Sequence, residues 1–219
     1  MRIVRLPGVF SPISDTWMLA RALREEIVAG RSSVLDVCTG SGALAVRAAR
    51  CGAHTVTAVD VSRRAVVTTR LNARLNGVRV RAVRSDLFGA LGDARFHVIV
   101  SNPPYVPAAT DDLPARGPAR AWDAGRDGRI IIDRLIDEAP AHLRPGGVLL
   151  IVHSDVCGVD ASLARMRDAG LEPAVAARHH GPLGPLMRSR VAHLEAQALL
   201  EPGNREEDVV VLRGRAPGP

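Results

Sequence analysis

Ser33-Val34-Leu35-Asp36-Val37-Cys38-Thr39-Gly40-Ser41-Gly42 is the stretch whose reading decides the fold. Its first six residues form a short apolar run, as expected of a strand covered on both faces. Thr39-Gly40-Ser41-Gly42 then opens the helix Ala43 to Arg50. Strand, glycine turn and helix make the first half of a dinucleotide-type unit. Gly40 and Gly42 let the backbone come close to a ligand, as in a phosphate-cradling turn. No Lys-Ser/Thr pair follows them, which excludes a nucleoside triphosphate loop. Asp36 would repel a pyrophosphate, which counts against NAD, and would attract a cationic amine or sulfonium.

Strands and helices alternate outward from this unit. Upstream, an arm over residues 1–12 leads into a helix with Ser14 or Asp15 as N-cap, Trp17, Ala20, Leu23 and Ile27 on one face, and Gly30 as its stop. Downstream, the pattern predicts a strand Thr55–Val59 ending in Asp60, then a helix from Ser62 to Asn76-Gly77. Two strands follow, Val78–Val83 with Asp86-Leu87 after it, and 96–101. Beyond a loop over 106–125, a helix is expected over Arg129–Leu143, a strand over Val148–Val152, a helix over 160–169 and a strand over Leu171–Ala177. Residues 179–206 hold His179-His180, a pair that suits a loop or strand end better than a metal site, and a helix-like Leu186–Leu200. Val209–Leu212 is a last strand with a frayed tail. There is no repeat or linker, so one domain over 1–219 is expected, with 1–30 as an N-terminal arm and helix. The fold class is α/β: a Rossmann-like, doubly wound, mostly parallel seven-stranded sheet with its last strand as an antiparallel edge.

The strand Phe96-His97-Val98-Ile99-Val100-Ser101 runs into Asn102-Pro103-Pro104-Tyr105, which contains the only tyrosine of the chain. Pro103 ends the ladder, and each proline holds the residue before it extended. The Asn102 side-chain oxygen and the Pro103 carbonyl are thereby presented rigidly beside an aromatic ring. Two such acceptors can hold both hydrogens of a planar NH2 group and aim its lone pair, while Tyr105 covers the flat face. The bland alternative is a strand-end turn, because Asn-Pro is a common turn dipeptide.

Composition bounds the setting. The 219 residues carry 29 basic and 23 acidic side chains, a formal +6, and every basic residue is Arg. The arginines are scattered among acids, the pattern of a solvated basic surface rather than a dedicated nucleic-acid face. Cys38, Cys51 and Cys157 lie in apolar segments and are odd in number, which argues for a reducing compartment without a disulfide framework. They are too few and too far apart for a zinc site, and no metal is expected. With no signal segment and no apolar run of spanning length, a soluble cytoplasmic protein without membrane association is expected.

In an open α/β sheet the ligand lies beyond the carboxyl ends of the strands, where Asp36, Asp60, Asp86 and Asn102 all fall. Asp60 stands 24 residues after Asp36, about where a carboxylate must be to take two ribose hydroxyls. Asp86 is placed to meet an adenine amino group. Any one of these acids could be a cap or turn residue; together they point to S-adenosylmethionine, with S-adenosylhomocysteine as product.

Asp36-Val37-Cys38-Thr39-Gly40-Ser41-Gly42, Asp60, Asp86-Leu87 and Asn102-Pro103-Pro104-Tyr105 resemble the class I S-adenosylmethionine methyltransferases that modify planar amino groups, and more narrowly the HemK/PrmC glutamine methyltransferases. Val9-Phe10-Ser11-Pro12 with Asp15-Thr16, and Ala121-Trp122-Asp123-Ala124-Gly125-Arg126-Asp127-Gly128, are similar to the short eukaryotic and archaeal branch. The resemblance covers about residues 8–178 and resumes at Asp208–Arg213. It implies that Asn102, with Pro103 and Tyr105, holds the substrate amide. It further implies that Thr16, Asp36, Cys38, Gly40, Gly42, Asp60, Asp86, Leu87 and Asn102 line the cofactor site. Cys38 departs from the first glycine usual in that loop, and residues 179–206 are longer than the equivalent segment. Short-branch members often work with a small zinc-ribbon activator that covers an apolar sheet edge.

The function expected is methyl transfer to the side-chain amide of a protein glutamine, in a substrate such as a release factor. Methylation of an adenine N6 or guanine N2 amine in RNA or DNA is the alternative, since nucleic acid offers the same flat NH2. One tyrosine and two tryptophans leave little for stacking bases. A non-catalytic cofactor-binding subunit is a third reading, kept open by Cys38. Trp122 suits either a substrate groove or core packing.

Overall fold

The computed structural model describes residues 1–218; Pro219, the end of the expected domain, lies outside them. Seven strands form one sheet in the order β3-β2-β1-β4-β5-β7-β6. They are β1 (Ser33–Val37), β2 (Thr55–Asp60), β3 (Arg81–Arg84), β4 (Phe96–Ser101), β5 (Leu143–Ser154), β6 (Glu172–Pro182) and β7 (Glu206–Arg215). The first five run parallel, and β7 runs antiparallel to both β5 and β6. The last strand is antiparallel, as the sequence implies, and it sits one place in from the edge with β6 outside it.

Successive side chains of the central strands face opposite ways. Leu35, Val37, Ile99, Leu149 and Ile151 pack under α4 (Ile130–Glu138) and α5 (Val159–Asp168). Val34, Val98, Val100, Leu150 and Val152 pack under α1 (Ser14–Glu26) and α2 (Ala43–Arg50). Both faces are dry, which is why β1 and β4 read as near-continuous apolar runs. From β2 the chain passes through α3 (Arg63–Leu75) to β3 at the edge, then crosses back to lay β4 beside β1. That reversal opens a crevice at the carboxyl ends of β1 and β4, the position in which such sheets bind ligands.

Several boundaries differ from expectation for local reasons. In α1 neither Ser14 nor Asp15 caps the helix, and Trp17 is 39% exposed while Leu19, Ala20 and Leu23 are buried. The helical pattern through Leu143 ends at Glu138, because Pro140 converts the last turn to a 3-10 turn. Strands β6 and β7 pair with each other well past the apolar residues that betrayed them, so His179 and His180 lie within β6 and the ladder reaches Arg215. The tail does not fray there, since Ala216 and Pro217 bond back to Gly147 and Gly146. The helix expected over Leu186–Leu200 is two short ones, α6 (Pro185–Arg188) and α7 (Val191–Ala196). Among the described residues no helix is long and apolar enough to cross a membrane.

Candidate active site

A cavity of about 360 Å³ opens at the carboxyl ends of β1 to β4. One side is formed by the turn after β1. Cys38 adopts φ +57°, and Gly40 and Gly42 adopt +53° and +80°, so three left-handed residues fold the turn back over the strand end. A side chain at Gly42 would meet Thr69 of α3 at 2.7 Å; this glycine lets α2 pack against α3. At Gly40 a Cβ would meet only the Cys38 carbonyl, at 4.0 Å, leaving the turn open toward the cavity.

Asp36 is wholly buried beneath this turn, on the strand face that meets α2. Its Oδ2 accepts the Thr39 hydroxyl at 2.5 Å and the Ala45 N–H at 3.0 Å, and Oδ1 has no partner. Burial pushes its pKa up to about 7. Asp60, at the end of β2, accepts the Gly40 N–H at 2.9 Å and the Ser62 N–H at 2.8 Å, and burial raises it as well. The Cys38 thiol is raised by burial and then by the Asp60 charge, so it is a neutral group. Asp86 carries Arg134 across both carboxylate oxygens, at 3.2 and 3.3 Å.

The Asn-Pro-Pro-Tyr lip faces this turn, and the start of α1 holds it there. Asn102 Nδ2 donates to Thr16 Oγ1 at 3.0 Å, which fixes the amide with Oδ1 as its free acceptor. The Tyr105 hydroxyl donates to Asp15 Oδ2 at 2.6 Å. Burial, then the Asp15 charge, raise the Tyr105 pKa, so the phenol remains a donor. Asp15 and Thr16 are only 3% and 6% exposed. Both lie inside the first turn of α1, after Ile13 at the N-cap position, with their side chains turned to the lip. Behind Tyr105, its carbonyl accepts the Cys157 thiol, and Gly128 presses so close that a Cβ there would strike that carbonyl.

The remaining wall comes from residues 106–125 and from α6. Val106, Val156, Leu183, Met187, Leu194 and Leu200 form a small core against which Tyr105 and Trp122 pack, and Trp122 also lines the cavity. Arg190 ties the two segments by bonding the Pro107 carbonyl and Asp123. The long segment before β7 is thus a wall of the cavity.

Of the expected site residues, Thr16, Cys38, Gly40, Asp60, Asp86, Leu87, Asn102, Pro103 and Tyr105 line this one cavity. Asp36 and Gly42 stand behind the turn instead of on the cavity wall. Gly128, Arg134 and Glu207 are site residues that sequence reading does not single out for a role. Asp15 belongs to the Asp15-Thr16 pair of the family resemblance and is also a cap candidate; its contact with the Tyr105 hydroxyl depends on packing between distant segments. Gly128 belonged to a recognised stretch, but nothing local says what a glycine is pressed against.

The description "methyltransferase small domain" matches residues 1–115. A Methanocaldococcus jannaschii protein named "Putative protein N5-glutamine methyltransferase" is 33% identical over 181 residues, covering 83% of this chain and 90% of that one. A release factor glutamine methyltransferase of Deinococcus radiodurans is 41% identical over 165 residues, covering 73% of this chain and 58% of that one. The chain therefore spans less than two thirds of that bacterial relative. In architecture it matches Mtq2 of E. cuniculi, solved with Trm112 and described as responsible for methylating the termination factor eRF1. That likeness has a TM-score of 0.66 at 24% identity, covering 95% of this chain and 99% of that one. By the family match over more than half its length and the archaeal relative over most of both chains, this chain belongs to the methyltransferase small domain family, among the HemK/PrmC-like glutamine N-methyltransferases.

Proposed function

We propose that this chain methylates the side-chain amide nitrogen of a glutamine in a protein of the translation machinery, a release factor first, with S-adenosylmethionine as donor. The observation that carries the reading is the orientation of Asn102: with Nδ2 committed to Thr16, Oδ1 and the neighbouring Pro103 carbonyl are two acceptors without protein partners among the described residues. They suit the two hydrogens of a primary amide.

The residues present fit the donor. The buried carboxylate oxygen of Asp15 that has no partner suits a cationic ligand, and the turn at Gly40 has room for one. Asp60 and Asp86 are the acids for its hydroxyl and amino groups, with Thr16, Cys38, Leu87 and Asn102 beside them and Asp36 and Gly42 holding the turn. When bound, the cofactor supplies an electrophilic methyl group on a sulfonium.

The chain's own part is positioning. Asn102 and Pro103 accept both amide hydrogens, which turns the nitrogen lone pair toward the donor side of the cavity. Tyr105, fixed by Asp15, packs on the amide plane. Asp15 places negative charge near a nitrogen that becomes positive as the bond forms, and the methylated amide then loses a proton without a strong base.

Incubation with isotope-labelled cofactor and a purified release factor, followed by digestion, tests this. Label on a glutamine peptide is expected. Label in the RNA fraction of a cell extract, with none in protein, would transfer the same lip to a base amine.

A further inference from the structure

Glu206, Glu207 and Asp208 are three consecutive acids on β7. Glu206 pairs with His180, and Asp208 pairs with His180 and Arg178. Glu207 faces the other way, into the cavity, and among the described residues no arginine or histidine pairs with it. It is 7% exposed. Oε1 accepts the Gly184 N–H at 2.6 Å, and Oε2 has no hydrogen-bond partner among the described residues. Around it the cavity wall is Pro185, Leu186 and Met187, with Tyr105 of the lip beside it.

A carboxylate set among apolar side chains at a cavity wall is stabilised by a cation or donor that reaches it there. Holding the Gly184 N–H needs one oxygen and no charge. The second oxygen, turned to an apolar part of the cavity next to the lip, has the character of a receptor for a positive group. We propose that Glu207 is a substrate subsite that takes a guanidinium or ammonium side chain lying close in sequence to the methylated glutamine. This rests on the reading that the substrate is a glutamine-bearing polypeptide. The chain as a whole carries +6, so a preference for cationic peptides would have to come from a local site.

The test uses fluorescent peptides with one glutamine, and either arginine or citrulline at each flanking position in turn. They are titrated into wild-type protein and Glu207→Gln in the presence of S-adenosylhomocysteine. At one position arginine should bind at least tenfold more tightly than citrulline to the wild type. In Glu207→Gln, whose amide oxygen still accepts the Gly184 N–H, that ratio should fall to within twofold. Glu207→Asp, with the charge drawn back by one methylene, should lie between. No position showing the ratio in the wild type, or an unchanged ratio in Glu207→Gln, overturns the subsite. Methyl transfer to the same peptides is read separately. Transfer without an arginine preference removes the subsite alone; a Glu207-dependent preference without transfer removes the glutamine reading and leaves the subsite standing.

Discussion

Cys38 holds φ +57° at a position where a side chain in the left-handed region costs about 1–2 kcal/mol. Glycine relieves that strain but costs roughly 0.5–1 kcal/mol in unfolded-chain freedom. Cys38→Gly should therefore raise stability by about 0–1.5 kcal/mol, measured as a denaturant midpoint; a clear loss would mean that the thiol's packing outweighs the backbone. Thr16 offers a second test at this scale. Thr16→Val removes the acceptor that orients Asn102, and kcat should fall about tenfold, the effect of one hydrogen bond, while Thr16→Ser keeps it. Equal activity in both would separate Asn102 from Thr16. The lip itself was legible because proline geometry is local. Its partners Asp15 and Thr16 lie roughly ninety residues earlier, and only the packing of α1 across the sheet brings them together.

The turn between the 106–125 loop and α4 is the element that backs the lip. Gly128 has φ +75°, and a Cβ there would strike the Tyr105 carbonyl. Gly77, past the end of α3, has φ +64° with nothing within 4 Å. Gly77→Ala should cost about 1 kcal/mol from backbone strain alone. Gly128→Ala adds overpacking and should cost about 2–4 kcal/mol, with methyl transfer falling more steeply than fold content by circular dichroism. Similar costs at the two sites would show that the lip yields freely. Continuous apolar runs and the helical pattern located β1, β2, β4 and α3 well, because the strands are covered on both faces and the helix buries one face on the sheet. The β6–β7 pair was read short: its outer half is held by ladder hydrogen bonds and the His180–Asp208 contact, which leave no apolar signature.

Across the whole molecule, strand order places the site at the reversal between β1 and β4, and the buried titratable groups set its response to acid. His153 is fully buried with Nε2 unpartnered, and burial lowers its pKa to about 4. The unfolded chain takes up that proton below about pH 6.5 and the native state does not, so stability is lost as pH falls from 6.5 toward 4, by up to about 3 kcal/mol. Asp36 acts in the opposite sense: raised to about 7, it lowers stability as pH rises through 4 to 7. His153→Phe should flatten the acid limb of a stability-against-pH curve, and an unchanged limb would place the acid sensitivity elsewhere. The central claim is that Asn102 orients the accepting nitrogen without holding the cofactor in place. Its most direct test is Asn102→Ala, followed by transfer of labelled methyl to a release factor alongside calorimetric titration of S-adenosylhomocysteine. Transfer should drop at least about 10²–10³-fold while cofactor affinity changes by less than a few fold; equal loss of both would contradict the account.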